Sequence, residues 1–109
     1  MTVSKLIEVL QAKTYVLSDG DRAVTDGYCG DFLSFVMGRA PQNSCWFTVM
    51  TNVNVCAVAT LADVSVIVVC ENCVPDDMLV ARAKAQGVNL IGVAQDIFTA
   101  AKTYAEASA

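Results

Sequence analysis

Three clusters of chemistry-bearing residues stand out in this 109-residue chain, and one residue type is missing altogether. Cys70-Glu71-Asn72-Cys73 is a C-x-x-C. At that spacing two thiols can share a disulfide or half of a metal site, and a helix N-terminus beside them would favour the thiolate. The stretch Asp19–Tyr28 (DGDRAVTDGY) is the most polar part of the chain. Its carboxylates, with Asp31, could hold a divalent cation, although the spacing does not match a calcium loop. Arg22, between Asp21 and Asp26, is expected in a local ion pair; released, its planar fork would suit a phosphate or a carboxylate. Thr51, Asn52 and Asn54, with Thr48 before them, surround the junction of an expected strand and helix. Backbone N–H groups at such a junction favour anions, and the same residue types also serve simply as helix caps.

Histidine is absent. That removes Ser-His-Asp and Cys-His catalysis, the H-E-x-x-H zinc helix and the zinc deaminase site. There is no G-x-x-x-x-G-K-[ST], no G-x-G-x-x-G after a strand and no G-x-S-x-G. The usual nucleotide cradle, dinucleotide turn and hydrolase elbow are therefore missing. No catalytic residue is assigned, no cofactor is expected, and beyond the loop carboxylates Cys70 and Cys73 are the metal candidates. With five cysteines, an odd number, the chain does not read as a disulfide framework, and most of the thiols are expected in the core.

The elements that must position these groups follow from periodicity. Val3, Leu6, Ile7 and Leu10 keep helical spacing behind a Thr2 cap. Thr14–Leu17 reads as a short strand, and Tyr28-Cys29 as a brief extended piece. Asp31 is placed to cap a helix through Phe32, Phe35 and Met37. From Cys45 onward strands and helices alternate. Cys45–Met50 is a strand, followed by a helix capped at Thr51 or Asn52. Val64–Cys70 is apolar on both faces, as a strand covered on both sides must be. A helix opens at Pro75-Asp76-Asp77 and stops at Gly87. Val88–Ala94 is a strand, and Asp96 caps the last helix. Such alternation argues for parallel strands joined by right-handed crossovers. The expected fold is one α/β domain over 1–109, with a layered α/β/α arrangement and a mostly parallel sheet. Trp46, Phe32, Phe35 and Phe98 are expected in its core.

Composition bounds the partners. The net charge is −4, and the seven Lys and Arg residues form no stripe, so nucleic acid is not expected. The chain opens without a charged n-region and an apolar h-region, and its longest apolar stretch falls short of the roughly 20 residues of a membrane span. A cytoplasmic location is expected. Hydrophobic residues make up 55% of the chain, much for a domain with so large a share of its surface in water. A homodimer or higher oligomer is expected, with another protein of the same pathway as a further possible partner.

The order Asp21-Arg22, Thr25, Gly27-Tyr28, Asp31-Phe32-Leu33-Ser34 and Val36-Met37 resembles the DRTGG domain family, similar to the N-terminal domain of HPr kinase/phosphorylase. The resemblance continues through Trp46-Phe47-Thr48, Thr51, Asn54, Ala57-Val58-Ala59, Val66–Val69, Pro75-Asp76, Gly87-Val88 and Phe98. It implies a layered α/β domain that tends to self-associate and carries no catalysis of its own. Asp26 stands where the family tends to have the first of two glycines. If a positive φ is needed there, Asp tolerates it better than most residues; if an anion must approach, Asp26 repels it. The leading expectation is a non-enzymatic regulatory or scaffold domain that senses a small ligand through Asp21, Arg22, Thr25, Asp26, Gly27, Tyr28, Asp31, Thr51, Asn52 and Asn54. Two alternatives stay open. One is a binding protein for an anionic metabolite or nucleotide, with a pocket completed between subunits; the other is a redox or metal module using Cys70 and Cys73.

Overall fold

The computed structural model describes all 109 residues. Its elements in chain order are α1 (Val3–Leu10), β1 (Lys13–Val16), β2 (Asp26–Cys29), α2 (Leu33–Arg39), β3 (Ser44–Thr48), α3 (Asn54–Ala62), β4 (Val66–Val69), α4 (Asp77–Gln86), β5 (Leu90–Gly92) and α5 (Ile97–Ser108). The strands form one sheet in the order β1-β5-β4-β3-β2. β2, β3, β4 and β5 are parallel, and β1 closes the far edge antiparallel to β5.

The chain steps from β2 to β5 one strand at a time, always in the same direction. Right-handed crossovers then put α2, α3 and α4 on a single face. Val36, Val55, Cys56, Ala59, Leu79 and Ala83 from these helices meet Trp46, Ile67, Val69 and Leu90 from the strands. The opposite face needs a separate cover, which α1 and α5 supply. Val3, Leu6, Leu10, Ala100 and Tyr104 pack there against Cys45, Phe47, Val66, Val68 and Ile91. Successive strand residues thus alternate between two cores, and every residue of β3, β4 and β5 is buried. Truncating Trp46 or Phe47 to Ala would cost about 3–5 kcal/mol.

Local signals act as their chemistry suggests at three helix ends. The Thr2 hydroxyl accepts from the Lys5 N–H, the Asp96 carboxylate accepts from the Thr99 N–H, and Gly87 ends α4 at φ +70°. Two other expected caps are corrected. The N-cap of α2 is Phe32, without a side-chain bond, because the Asp31 carboxylate turns toward the end of β3. The N-cap of α3 is Val53; Asn52 instead closes a local turn, its Oδ1 accepting from the Asn54 N–H.

The aromatic expectation holds for Trp46 and fails for three phenylalanines. Phe32 is 62% exposed, Phe98 is 73% exposed and Phe35 is also exposed. α2 is a short helix that fully buries only Val36; Leu33 packs partly against the core, while Phe35 and Met37 have no layer above them. No helix is long and apolar enough to cross a membrane.

Candidate functional site

The sheet has two rims, and the sequence-derived residues divide between them. β2 starts at Asp26, so Asp21, Arg22, Thr25 and Asp26 lie at the amino ends of the parallel strands. Asp31, Thr51, Asn52 and Asn54 follow β2 and β3, at the carboxyl ends. Gly27 and Tyr28 lie within β2, between the rims. The structure therefore does not gather these residues into one site.

At the amino rim Arg22 makes no local pair with Asp21 or Asp26. Its Nη2 donates to Asp63 Oδ1 (2.8 Å), to the Asp63 carbonyl (2.8 Å) and to Asn43 Oδ1 (3.1 Å). Both acceptor residues adopt positive φ, Asn43 at +63° and Asp63 at +58°, just ahead of β3 and β4. Asn and Asp tolerate that region better than other side chains, and Arg22 clamps the two turns together. The Gln42 carboxamide also donates to Asp63 (2.6 Å). The hydrogen bond from Arg22, then that from Gln42, holds the Asp63 carboxyl below its ordinary range.

A second knot lies beside this one and carries no motif in the sequence. Asn89, buried just before β5, accepts from the N–H groups of Ser18 (2.8 Å) and Asp19 (2.9 Å). Its amide donates to the carbonyls of Asp19 and Ser65, both at 2.9 Å. The Ser65 hydroxyl donates to the Ala23 carbonyl. The exception to this saturation is the Ser44 hydroxyl, which is buried with no partner.

The other loop residues also have structural occupations. Thr25 donates its N–H to the Asn43 carbonyl (2.9 Å), and the Asp21 N–H donates to Asp19 Oδ1 (3.1 Å). Asp26 is not among the positive-φ residues, so nothing in the backbone there calls for glycine. Its carboxylate accepts from the Gly27 N–H (2.8 Å). Gly27 packs closely: a Cβ there would lie 3.3 Å from the Tyr104 ring of α5, which would have to give by a few tenths of an ångström. Tyr28 is half-buried against the α2–α4 core. Asp31 accepts from the Thr48 hydroxyl (2.6 Å) and the Val49 N–H (3.0 Å), tying the end of β2 to that of β3. Thr51 gives its carbonyl to the Asp76 N–H (2.9 Å), which anchors the start of α4.

The C-x-x-C carries no disulfide. Cys70 is fully buried, its thiol donating to the Val68 carbonyl (3.7 Å), and all five cysteines are free. Burial above all pushes the Cys70 thiol up to about 12, the wrong direction for a nucleophile or a ligand. No three His, Cys, Asp or Glu side chains converge on a point where a metal could sit.

Sequence reasoning missed a cavity of about 340 Å³ at the carboxyl ends of β4 and β5. It opens at the seam where the parallel sheet meets antiparallel β1, and Gln11, Lys13, Tyr15, Asn72, Cys73 and Gly92 are among its lining residues. Open α/β sheets bind ligands outside the carboxyl ends of their strands. Lys13 Nζ stands 5.0 Å from the centre of the Tyr15 ring. The only available signal was the alternation of Lys13 and Tyr15 on one face of a strand.

No protein-family model matches the chain, and no curated protein does. Among solved structures it is similar to the CBS and DRTGG domains of the regulatory region of Clostridium perfringens pyrophosphatase, complexed with the activator diadenosine tetraphosphate. The TM-score is 0.77 at 13% identity, and the match covers 94% of this chain and 45% of that one. The chain thus spans less than half of that structure's length. At this identity the likeness concerns the fold: the layered α/β arrangement expected from the sequence occurs in a regulatory region.

Proposed function

We propose that this chain is a non-enzymatic regulatory module of the DRTGG type, which self-associates and couples a small ligand or a protein partner to an assembly. The observation that carries the reading is the similarity to a regulatory region along 94% of the chain. The chemistry is in keeping with it. Arg22, Asp31, Asp63 and Asn89 are committed to structural hydrogen bonds. Self-association draws its support from the large apolar side chains left at the surface, Phe32, Phe35, Leu61, Met78 and Phe98.

Light scattering with a pull-down from the native source tests this reading. We expect a mass at least twice the 11.6 kDa of one chain, or a stoichiometric protein partner. A clean monomer without a partner contradicts it. A second reading, a binding protein for an anionic metabolite whose pocket is completed by another subunit, is favoured by the open cavity at the carboxyl rim. The neighbour's activator is a nucleotide, which makes nucleotides the first compounds to compare.

A further inference from the structure

We propose that the carboxyl-rim cavity is a binding site for a planar aromatic monoanion of one or two rings, such as an aryl carboxylate. The assignment rests on the ligand-sensing side of the regulatory reading and names its site and ligand class. Four observations carry it.

First, the polar side chains around the cavity make no hydrogen bond or ion pair within the protein; the Lys13 ammonium lies over the Tyr15 ring. Lys13 forms no ion pair; the two in the structure are Lys5–Glu8 and Arg22–Asp63. The carboxamides of Gln11 and Asn72 line the cavity without a protein hydrogen bond, as does the Tyr15 hydroxyl. These groups fit a ring bearing one negative charge. The ammonium meets the anion, the tyrosine ring meets the π-face, and the carboxamides meet polar edges.

Second, the backbone makes room for the ring. Gly92 pairs with Lys13 across the β1–β5 ladder, and a Cβ on it would lie 2.8 Å from Tyr15 Cε2. Glycine lets Tyr15 lie against the strand and line the cavity, and any Cβ there pushes its ring aside.

Third, the loop that presents Asn72 is held at a conformational cost. Glu71 and Asn72 are consecutive non-glycine residues at positive φ, +65° and +56°. Three bonds fix them there: Glu71 N–H to the Gln95 carbonyl (2.9 Å), Asn72 N–H to the Val93 carbonyl (3.0 Å) and Cys73 N–H to the Cys70 carbonyl (3.1 Å). A wall built in advance loses little freedom when a ligand arrives.

Fourth, size and charge limit the occupant. A cavity of about 340 Å³ lies at the small end of ligand sites. Lys13 is its only cation, Glu71 adjoins Asn72, and the whole chain carries −4. One ammonium in that field balances a monoanion and leaves a polyphosphate uncompensated.

Calorimetric titration of the full chain with indole-3-carboxylate, indole and ATP tests the assignment. We expect saturable binding of indole-3-carboxylate at one site per chain, with Kd below about 1 mM. Indole should bind about fivefold more weakly, and ATP more weakly than the carboxylate. Lys13→Gln, a change at an exposed residue, should bring the carboxylate and indole to equal affinity. Gly92→Ala should weaken both by displacing Tyr15. No saturable binding of either indole compound, tighter binding of ATP, or binding unaltered in Lys13→Gln would each overturn the proposal. Should Gly92→Ala fail to fold, Lys13→Gln still decides. Light scattering on the same samples reads self-association separately, so an intact oligomer that binds nothing overturns the cavity alone.

Discussion

The two rims of the sheet both carry polar residues and use them differently. At the amino rim Arg22, Asn43, Asp63, Ser65 and Asn89 bond to one another and to the backbone until almost nothing remains for a ligand. At the carboxyl rim Asp31, Thr48, Thr51 and Asn52 are bonded in the same way, while Lys13, Tyr15, Gln11 and Asn72 face a cavity and make no protein hydrogen bond. A polar cluster reveals function by what is left over after the fold has taken its share. The polar loop that dominates the sequence is therefore a structural feature, and the quieter residues of the edge strand form the better site.

This contrast should appear first as unequal stability effects. Asn89→Leu removes a buried amide and takes partners from the Ser18 and Asp19 N–H groups and from the Ser65 carbonyl, while the Asp19 carbonyl keeps the Arg22 N–H. The expected loss is about 3 kcal/mol, seen in urea unfolding as a lower midpoint with an unchanged slope. A loss under about 1 kcal/mol would show that water replaces the amide and that this rim is less committed than the geometry indicates.

Arg22→Ala should cost about 1–2 kcal/mol, discounted because both partners are partly exposed. Lysine at this position should restore only part of the loss: the three bonds leave a single nitrogen, Nη2, and an ammonium on a shorter stem reaches that place incompletely. The pH dependence follows from Asp63. Its folded pKa is depressed, so its contribution is complete above the unfolded carboxylate value of about 3.9 and is lost as pH falls through the lower folded value. Acid unfolding curves of the parent and Arg22→Ala should therefore converge at the acid end. Curves that stay parallel would remove Asp63 from the explanation.

Ser44→Ala works in the opposite direction. It deletes the one buried hydroxyl without a partner and should stabilise by about 1 kcal/mol. Destabilisation would mean that this hydroxyl is satisfied after all. Smallest are the carboxyl-rim changes. Glu71→Gly relieves a left-handed side chain and should stabilise by about 0.5 kcal/mol, while Lys13→Gln should stay within about 0.5 kcal/mol of the parent in thermal melts. A large loss from Lys13→Gln would make the cavity residues structural and erase the difference between the rims.

Much of the architecture was legible because it rests on periodicity. The apolar run Val64–Cys70 marked a strand covered on both faces, and Thr2, Asp96 and Gly87 marked helix ends by local chemistry alone. What escaped depends on distance along the chain. Arg22 and Asp63 are forty-one residues apart, and Asn89 reaches back seventy residues to Asp19. No window of sequence contains either pair, so Arg22 was matched with the nearest carboxylates. Asp31 had the right type and place for a cap, but its carboxylate found Thr48 on the neighbouring strand. The cavity joins residues before β1 with those after β4 and β5, which only the antiparallel return of β1 brings together. Phe32, Phe35 and Phe98 were misplaced because apolar character predicts burial only where another layer exists to cover it.

Backbone amide shifts recorded while indole-3-carboxylate is titrated into the labelled protein test the division of labour most directly. Saturable shifts confined to Lys13, Tyr15, Glu71–Val74 and Gly92–Ala94, with Arg22, Asn43, Asp63 and Asn89 unmoved, are the predicted result. Shifts centred on Arg22 and the Asp19–Tyr28 loop, with the carboxyl rim silent, would contradict it.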